Sequence, residues 1–277
     1  MACLLVLAGC GAPAAGTPTA PPGTTTSAPP PSTSSSATSS AAPAPTSTPA
    51  TRPAPRPQST PPVSGVVVLD PGHNGGNAAN PAAINRPVPA GRGQTKACNT
   101  TGTATNAGFP EHAFTWSVSV RVRDILVARG VTVVLTRPND TGVGPCVDAR
   151  AAAGNNADAA AVVSIHADGS TNTSAHGFHV AYSSPPLNAQ QGEPSLRLAR
   201  TMRDGLRSAG FPLSTYIGSE GLSPRSDLGG LNLSTRPAVL VECGNMRNAT
   251  EAAAFSSAAG QQSYAKAIAA GILAYLA

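Results

Sequence analysis

Three apolar runs of this 277-residue chain each lead to a residue able to bind a metal or carry a proton. VVVLDPGH brings His73 just past the first run, AVVSIH ends on His166, and AVLVE ends on Glu242. In open α/β sheets, sites gather beyond the carboxyl ends of the strands. A helix that follows a strand begins at the same edge, which brings Glu111, directly after Pro110, to that rim. Two imidazoles and two carboxylates from four distant positions therefore converge. Two histidines and one carboxylate leave a fourth position open, the pattern of a catalytic zinc site. Such a centre activates water and polarises a carbonyl. A second carboxylate can take the water's proton and return it to a leaving amine. His73, Glu111 and His166 are the expected ligands, with Glu242 as catalytic acid/base. The H-E-x-x-H pattern of helix-borne zinc sites is absent.

Each residue also has a plainer reading. A histidine after Pro-Gly suits an ordinary turn, and Glu111 would complement a helix dipole. Glu242 is the hardest to explain structurally, because carboxylates are rarely buried without a partner. His176 and His179, three apart on a strand, face opposite ways. His179 is a candidate substrate contact or an ordinary half-buried histidine. Asp70 and Asp168 could support the histidines near them or cap turns. Cys243 alternates away from Glu242 and should not ligate. His112 is expected to face solvent or the neighbouring loop. No nucleophile elbow, phosphate loop or dinucleotide fingerprint is present.

The elements that must position these residues alternate strand with helix. Strands are expected over Gly65–Asp70, Val131–Thr136, Ala159–Ile165, Gly177–Tyr182 and Pro237–Cys243, with an edge strand near Asp227–Leu233. Helices are expected from Pro110 to Gly130, over Asp148–Asn156, over Pro194–Ala209 and over Ala259–Leu276. Asn74–Phe109 reads as one long loop, and long ordered loops are usually functional. The implied fold class is α/β: a single domain whose mainly parallel sheet is covered by helices on both faces.

Composition divides the chain. Residues 11–62 are Pro, Ser, Thr, Ala and Gly apart from Arg52, Arg56 and Gln58, so they form an expected disordered tether. Every aromatic and every histidine lies in 63–277, which is enough for one domain with a real core. The net charge of +5 is modest, without basic blocks or interleaved aromatics, so no nucleic-acid partner is expected. No apolar run approaches the ~18 residues of a membrane-crossing helix, and there is no heptad or longer repeat. Residues 1–10 read as an export signal ending in LAGC, which resembles a bacterial lipobox with Cys10 as the lipidation site. A basic segment and a full apolar core are missing, which a start placed too far downstream would explain; a chance LAGC is the alternative. The expected location is the cell envelope, lipid-anchored on the outer face of the cytoplasmic membrane, or otherwise secreted or periplasmic. In an oxidising compartment the loop residues Cys98 and Cys146 are the plausible disulfide, worth ~4 kcal/mol for such a loop. Cys243, inside an apolar run, is the expected buried free thiol.

The ordered succession VVLDPGHNGG, PEHAFTW, GVTVVLTRPND, DARAAAGNNADAAAVVSIHAD, GFHVAY and RPAVLVECGNMRN resembles the zinc-dependent N-acetylmuramoyl-L-alanine amidases of the type-3 cell-wall hydrolase family. It is especially similar to the compact actinobacterial form, from about Val66 to the C-terminus. The resemblance implies one zinc held by His73, Glu111 and His166, with Glu242 catalytic. It implies hydrolysis of the amide between the lactyl group of N-acetylmuramic acid and L-alanine of the peptidoglycan stem peptide. Asn74, Arg225, Asn245 and Asn248 are further candidate substrate contacts. The sequence departs from the family pattern at GHNGGNAAN and at SIHAD, where Asp168 stands in place of the usual Asn. No long insertion between His166 and Glu242 suggests an inhibitory helix, so an open site is expected in a monomer needing no protein partner. Two other readings remain: a zinc peptidase or deacetylase, and a non-catalytic zinc- or wall-binding lipoprotein.

Overall fold

A computed structural model of the chain describes residues 65–277. The signal segment with Cys10 and the tether over 11–62 lie outside the described residues. Alternating valine-rich runs build a six-stranded sheet in the order β4-β1-β5-β8-β6-β7. Its central strands β1 (Val66–Pro71), β5 (Ala161–Asp168) and β8 (Ala238–Asn245) and the edge strand β4 (Thr132–Leu135) are mutually parallel. β6 (His179–Ser183) runs antiparallel to β8, and β7 (Leu222–Arg225) pairs parallel to β6.

The period-two alternation of the strands sorts their side chains between two faces. Val67, Leu69, Val163, Ile165, Val239 and Val241 join the main core. That core is closed by Phe114, Val118 and Val122 of α2 (Glu111–Val127), Leu198, Met202 and Leu206 of α4 (Glu193–Ser208), and Ile268 and Ile272 of α7 (Ala258–Leu276). On the other face Val68, Val162, Ala181 and Ala238 form a smaller cluster with Leu231. Leu231 belongs to a short helix, α5 (Gly229–Asn232), which packs with α3 (Val147–Asn156). This second face is covered only in part, and a cleft of about 390 Å³ opens over it.

Several connections differ from the sequence expectation. The Asn74–Phe109 stretch holds a short helix, α1 (Pro81–Asn85), and a hairpin of β2 (Pro87–Gly91) with β3 (Gln94–Ala97). Both strands are short and pair outside the main sheet, and the alternation of buried Val88 and Ala90 in β2 is masked by the prolines that alternate with them. The edge strand expected near Asp227–Leu233 lies earlier, over Leu222–Arg225, and the expected segment contains α5 instead. A separate helix, α6 (Ala249–Ser256), precedes α7 and is capped by Asn248. Cys98 and Cys146 are joined, tying the end of the hairpin to the start of α3. Cys243 is a buried free cysteine within the main core.

Candidate metal centre

The first strand delivers its histidine through a turn that only a small residue allows. A Cβ on Gly72 would overlap the His166 imidazole. His73 then adopts φ of 59°, in the left-handed region that non-glycine residues seldom occupy. Such a conformation persists only where its surroundings impose it. Here two buried arginines do so. Arg150 donates to the carbonyls of Pro71 at 2.6 Å and His73 at 2.7 Å. Arg137, with no exposed surface, donates to Pro71 O at 3.0 Å and His112 O at 3.0 Å. Arg150 is in turn paired with Asp70 at 2.6 Å. Burial works against ionising Asp70, but the Arg150 charge and hydrogen bonds from Ser164 and Thr136 outweigh it and hold its pKa at about 2.

His73, Glu111 and His166 bring potential ligand atoms within 4.8 Å of one another. Glu111, in the first turn of α2, lies between the two imidazoles. Its Oε2 is 3.1 Å from His73 Nε2 and its Oε1 is 3.0 Å from His166 Nδ1. The same carboxylate accepts the backbone N–H groups of Thr103 at 2.9 Å and Ala167 at 3.1 Å. Burial alone would raise the Glu111 pKa, but the adjacent His73 and His166 bring it well below the usual carboxylate range. The Thr100 carbonyl, 3.1 Å from His73 Nδ1, can accept the Nδ1–H, which leaves Nε2, on the Glu111 side, for a cation. Two imidazoles and an anionic carboxylate converging in this way fit a metal cation.

Glu242 joins them through the sheet. In the parallel pairing of β5 and β8 it lies in register with His166, and both line the cleft with His73 and Glu111. Its Oε2 is buried without a hydrogen-bond partner. Burial first, then the carboxylates of Asp168 and Glu111, push its pKa well above the ordinary value. Glu242 therefore holds a proton more readily than an ordinary carboxyl, as a group that takes a proton and returns it must.

Residues 67–274 match the family model described as N-acetylmuramoyl-L-alanine amidase. The chain belongs to the N-acetylmuramoyl-L-alanine amidase family. It is 53% identical over 212 residues to N-acetylmuramoyl-L-alanine amidase Rv3717 of Mycobacterium tuberculosis, covering 76% of this chain and 86% of that protein. The crystal structure of Ami1 from Mycobacterium smegmatis superposes with a TM-score of 0.74 at 55% identity, covering 76% of this chain and 96% of that one. AmiC2 of Nostoc punctiforme is more distant, with a TM-score of 0.58 at 27% identity, covering 76% and 96%. The amidase is thus an enzyme acting on peptidoglycan.

Other expected site residues of the amidase fall elsewhere. Asn245 is fully buried: its amide donates to Asn172 O and Ala175 O, and its Oδ1 accepts from Arg247 N, so no polar group is left for substrate. Asn248 caps α6 and donates to Thr173 O. Asn74 is buried, with its Oδ1 accepting from Gly75 N and Arg137. All three are engaged in the fold, Asn248 at a partly exposed position. His179 is 1% exposed and does not line the cleft. Arg225 ends β7 and is engaged by Asp227 at 2.6 Å on a partly exposed rim. His112 is partly exposed, and its Nδ1 meets Asp140 Oδ2 at 2.7 Å. Asp168 accepts the Tyr216 hydroxyl at 2.9 Å. Sequence reasoning missed the supports Arg137, Arg150 and Thr100, and Lys96 from the hairpin, which lines the cleft. The segments carrying Arg137 and Arg150 were part of the family resemblance, but a basic side chain on its own reads as surface.

Proposed function

We propose that this chain is an exported, zinc-dependent amidase that cuts the bond between N-acetylmuramic acid and the L-alanine of peptidoglycan stem peptides. One observation carries the reading: three ligand-type residues within 4.8 Å share a cleft with Glu242, whose Oε2 is buried and unpaired. His73, Glu111 and His166 would hold the ion, and their nitrogen and oxygen donors suit zinc. When bound, zinc supplies Lewis acidity toward the scissile carbonyl and the attacking water. Glu242 does the proton work. The oxygen of Glu242 toward the cleft takes a proton from the water as its oxygen bonds to the carbonyl carbon. The same oxygen returns the proton to the alanine nitrogen as the carbon–nitrogen bond breaks. Thr100 holds the His73 tautomer, and Arg137 and Arg150 hold the turn that carries it. Arg225, on the rim, is the remaining candidate for a substrate carboxylate.

The domain over 63–277 works as a monomer on peptidoglycan, with 1–10 as signal, Cys10 as lipid anchor and 11–62 as tether. Among the described residues no helix is long and apolar enough to cross a membrane. The test is mass spectrometry of muropeptides after incubation of purified peptidoglycan with the protein or its Glu242→Gln variant. Free stem peptides with a new L-alanine amino terminus, absent for the variant, are the expected result. Cuts at another bond would replace the substrate assignment, and equal activity of the variant would remove Glu242 from the chemistry.

A further inference from the structure

Glu242 has neighbours on both sides. The parallel β5 sets His166 against it, and the antiparallel β6 sets His179 against it. Side chains paired in register share one face of a sheet at about 5 Å spacing, so the carboxylate stands between two imidazoles. His166 is accounted for by the candidate metal centre. His179 is sealed from the cleft, and a buried imidazole is a costly way to fill space if its polar atoms stay unpaired. Its Nδ1 is buried without a hydrogen-bond partner, and so is Oε2 of Glu242. Two orphaned polar atoms therefore fall on one registered pair.

The nearest carboxylate oxygen to that nitrogen belongs to Asp168, and no Glu242 oxygen lies within 4.0 Å of the imidazole nitrogens, so a link to Glu242 needs one bridging water. Asp168 Oδ2 stands 3.8 Å from His179 Nδ1, beyond hydrogen-bond range, and accepts the Tyr216 hydroxyl. The Tyr216 ring meets the His179 ring edge-on at 6.3 Å. Burial, then the nearby Arg225, keeps His179 neutral, with a pKa of about 4. A neutral imidazole carrying its proton on Nδ1 is a donor, and the carboxylate oxygen is an acceptor. They complement each other through one bridging water.

We propose that His179 is a positioning residue for Glu242: its Nδ1–H donates through one bridging water to Glu242 Oε2 and leaves the other oxygen aimed into the cleft. This inference rests on the reading of Glu242 as the acid/base. A carboxylate free to swing would take and return the proton from many geometries, and fixing its inner oxygen removes that freedom. His179 acts through Glu242 and touches no reacting atom.

The test compares three variants of the full chain on a soluble muropeptide: His179→Asn, His179→Gln and His179→Leu. The asparagine amide nitrogen occupies the place of Nδ1, the glutamine nitrogen that of Nε2, and leucine supplies no donor. The expected result is His179→Asn within about fivefold of the parent in kcat, with His179→Gln and His179→Leu lower by roughly 10–100-fold. KM, bound metal and melting temperature should stay unchanged in the asparagine and glutamine variants. In a Glu242→Asp background, which moves the acceptor, His179→Gln should cost less than threefold further, because coupled residues are non-additive. If the leucine variant does not fold, the asparagine–glutamine contrast decides alone. Equal kcat in those two, a loss confined to KM or metal content, or a fully multiplicative loss in the aspartate background would overturn the proposal. Full activity of Glu242→Gln would overturn both this inference and the reading beneath it. Inactive Glu242→Gln beside unaffected His179 variants would overturn this inference alone.

Discussion

Asp70 and Arg150 form a buried ion pair at 2.6 Å directly beneath the turn that carries His73. Arg150 spends its remaining donors on the carbonyls of Pro71, His73 and Pro145, so one guanidinium links β1, the His73 turn and α3. Removing one member of such a pair leaves an uncompensated buried charge, which typically costs about 3–5 kcal/mol. Asp70→Asn is expected to lower unfolding stability by that order in urea titrations at pH 7, with weaker metal retention because His73 loses its support.

The same pair sets an acid limit. Asp70 has its pKa lowered from 3.8 to about 2 in the folded chain. A depressed carboxyl contributes stability that is present above the unfolded pKa and lost as pH falls through the folded one. The contribution is about 2 kcal/mol, disappearing between roughly pH 4 and pH 2. Urea midpoints of the parent and Asp70→Asn measured down that range should converge. Parallel curves would show that the pair does not govern acid sensitivity.

Gly72 lets β1 end against the His166 ring, and any Cβ there would overlap it. Gly72→Ala should displace His166 and lower metal affinity by at least about tenfold, of the order seen for lost supports of ligands. Metal content after dialysis against a graded chelator checks this. Gly142→Ala, where an added Cβ meets nothing within 4 Å, should match the parent.

Glu111 has a double duty, as expected ligand and as acceptor for the Thr103 and Ala167 N–H groups. Chelation of the parent should abolish muropeptide release, and added zinc should restore it. Glu111→Ala should be inactive with or without added zinc. It should also lose about 2–4 kcal/mol of stability in the metal-free state, because two buried donors are left unpaired. Metal-free stability equal to the parent's would confine Glu111 to ligation.

The Cys98–Cys146 bond closes a separation of 48 residues that holds the His73-facing loop, α2 and β4. Reduction should cost about 4 kcal/mol by the chain-entropy argument. Urea unfolding with and without reductant measures it, alongside an intact mass two hydrogens heavier after reduction.

Much of the site was legible before any coordinates. Continuous apolar runs mark buried strands, and the rule that sites gather at their carboxyl ends singled out His73, His166 and Glu242. Pro110 marked the helix that brings Glu111 to the same rim. The hairpin was not legible, because PVPAG carries two prolines and QTKA is polar, although Val88 and Ala90 turn inward and are buried. Edge strand β7 contains a proline and was misplaced for a similar reason.

Local sequence thus determined the α/β alternation, the cysteine loop and the identity of the chemistry-bearing residues, because these depend on periodicity and residue type. Tertiary structure decided which polar residues are free. Asn74, Asn245 and Asn248 look alike in sequence to substrate-binding amides, yet backbone groups and Arg137 already use them. Arg137 and Arg150 became supports for a left-handed histidine only once distant carbonyls surrounded them. The row His166–Glu242–His179 exists because three strands, distant in sequence, adopt one register. Hydrogen-bond satisfaction and strand register are relations between remote positions, and no local pattern encodes them.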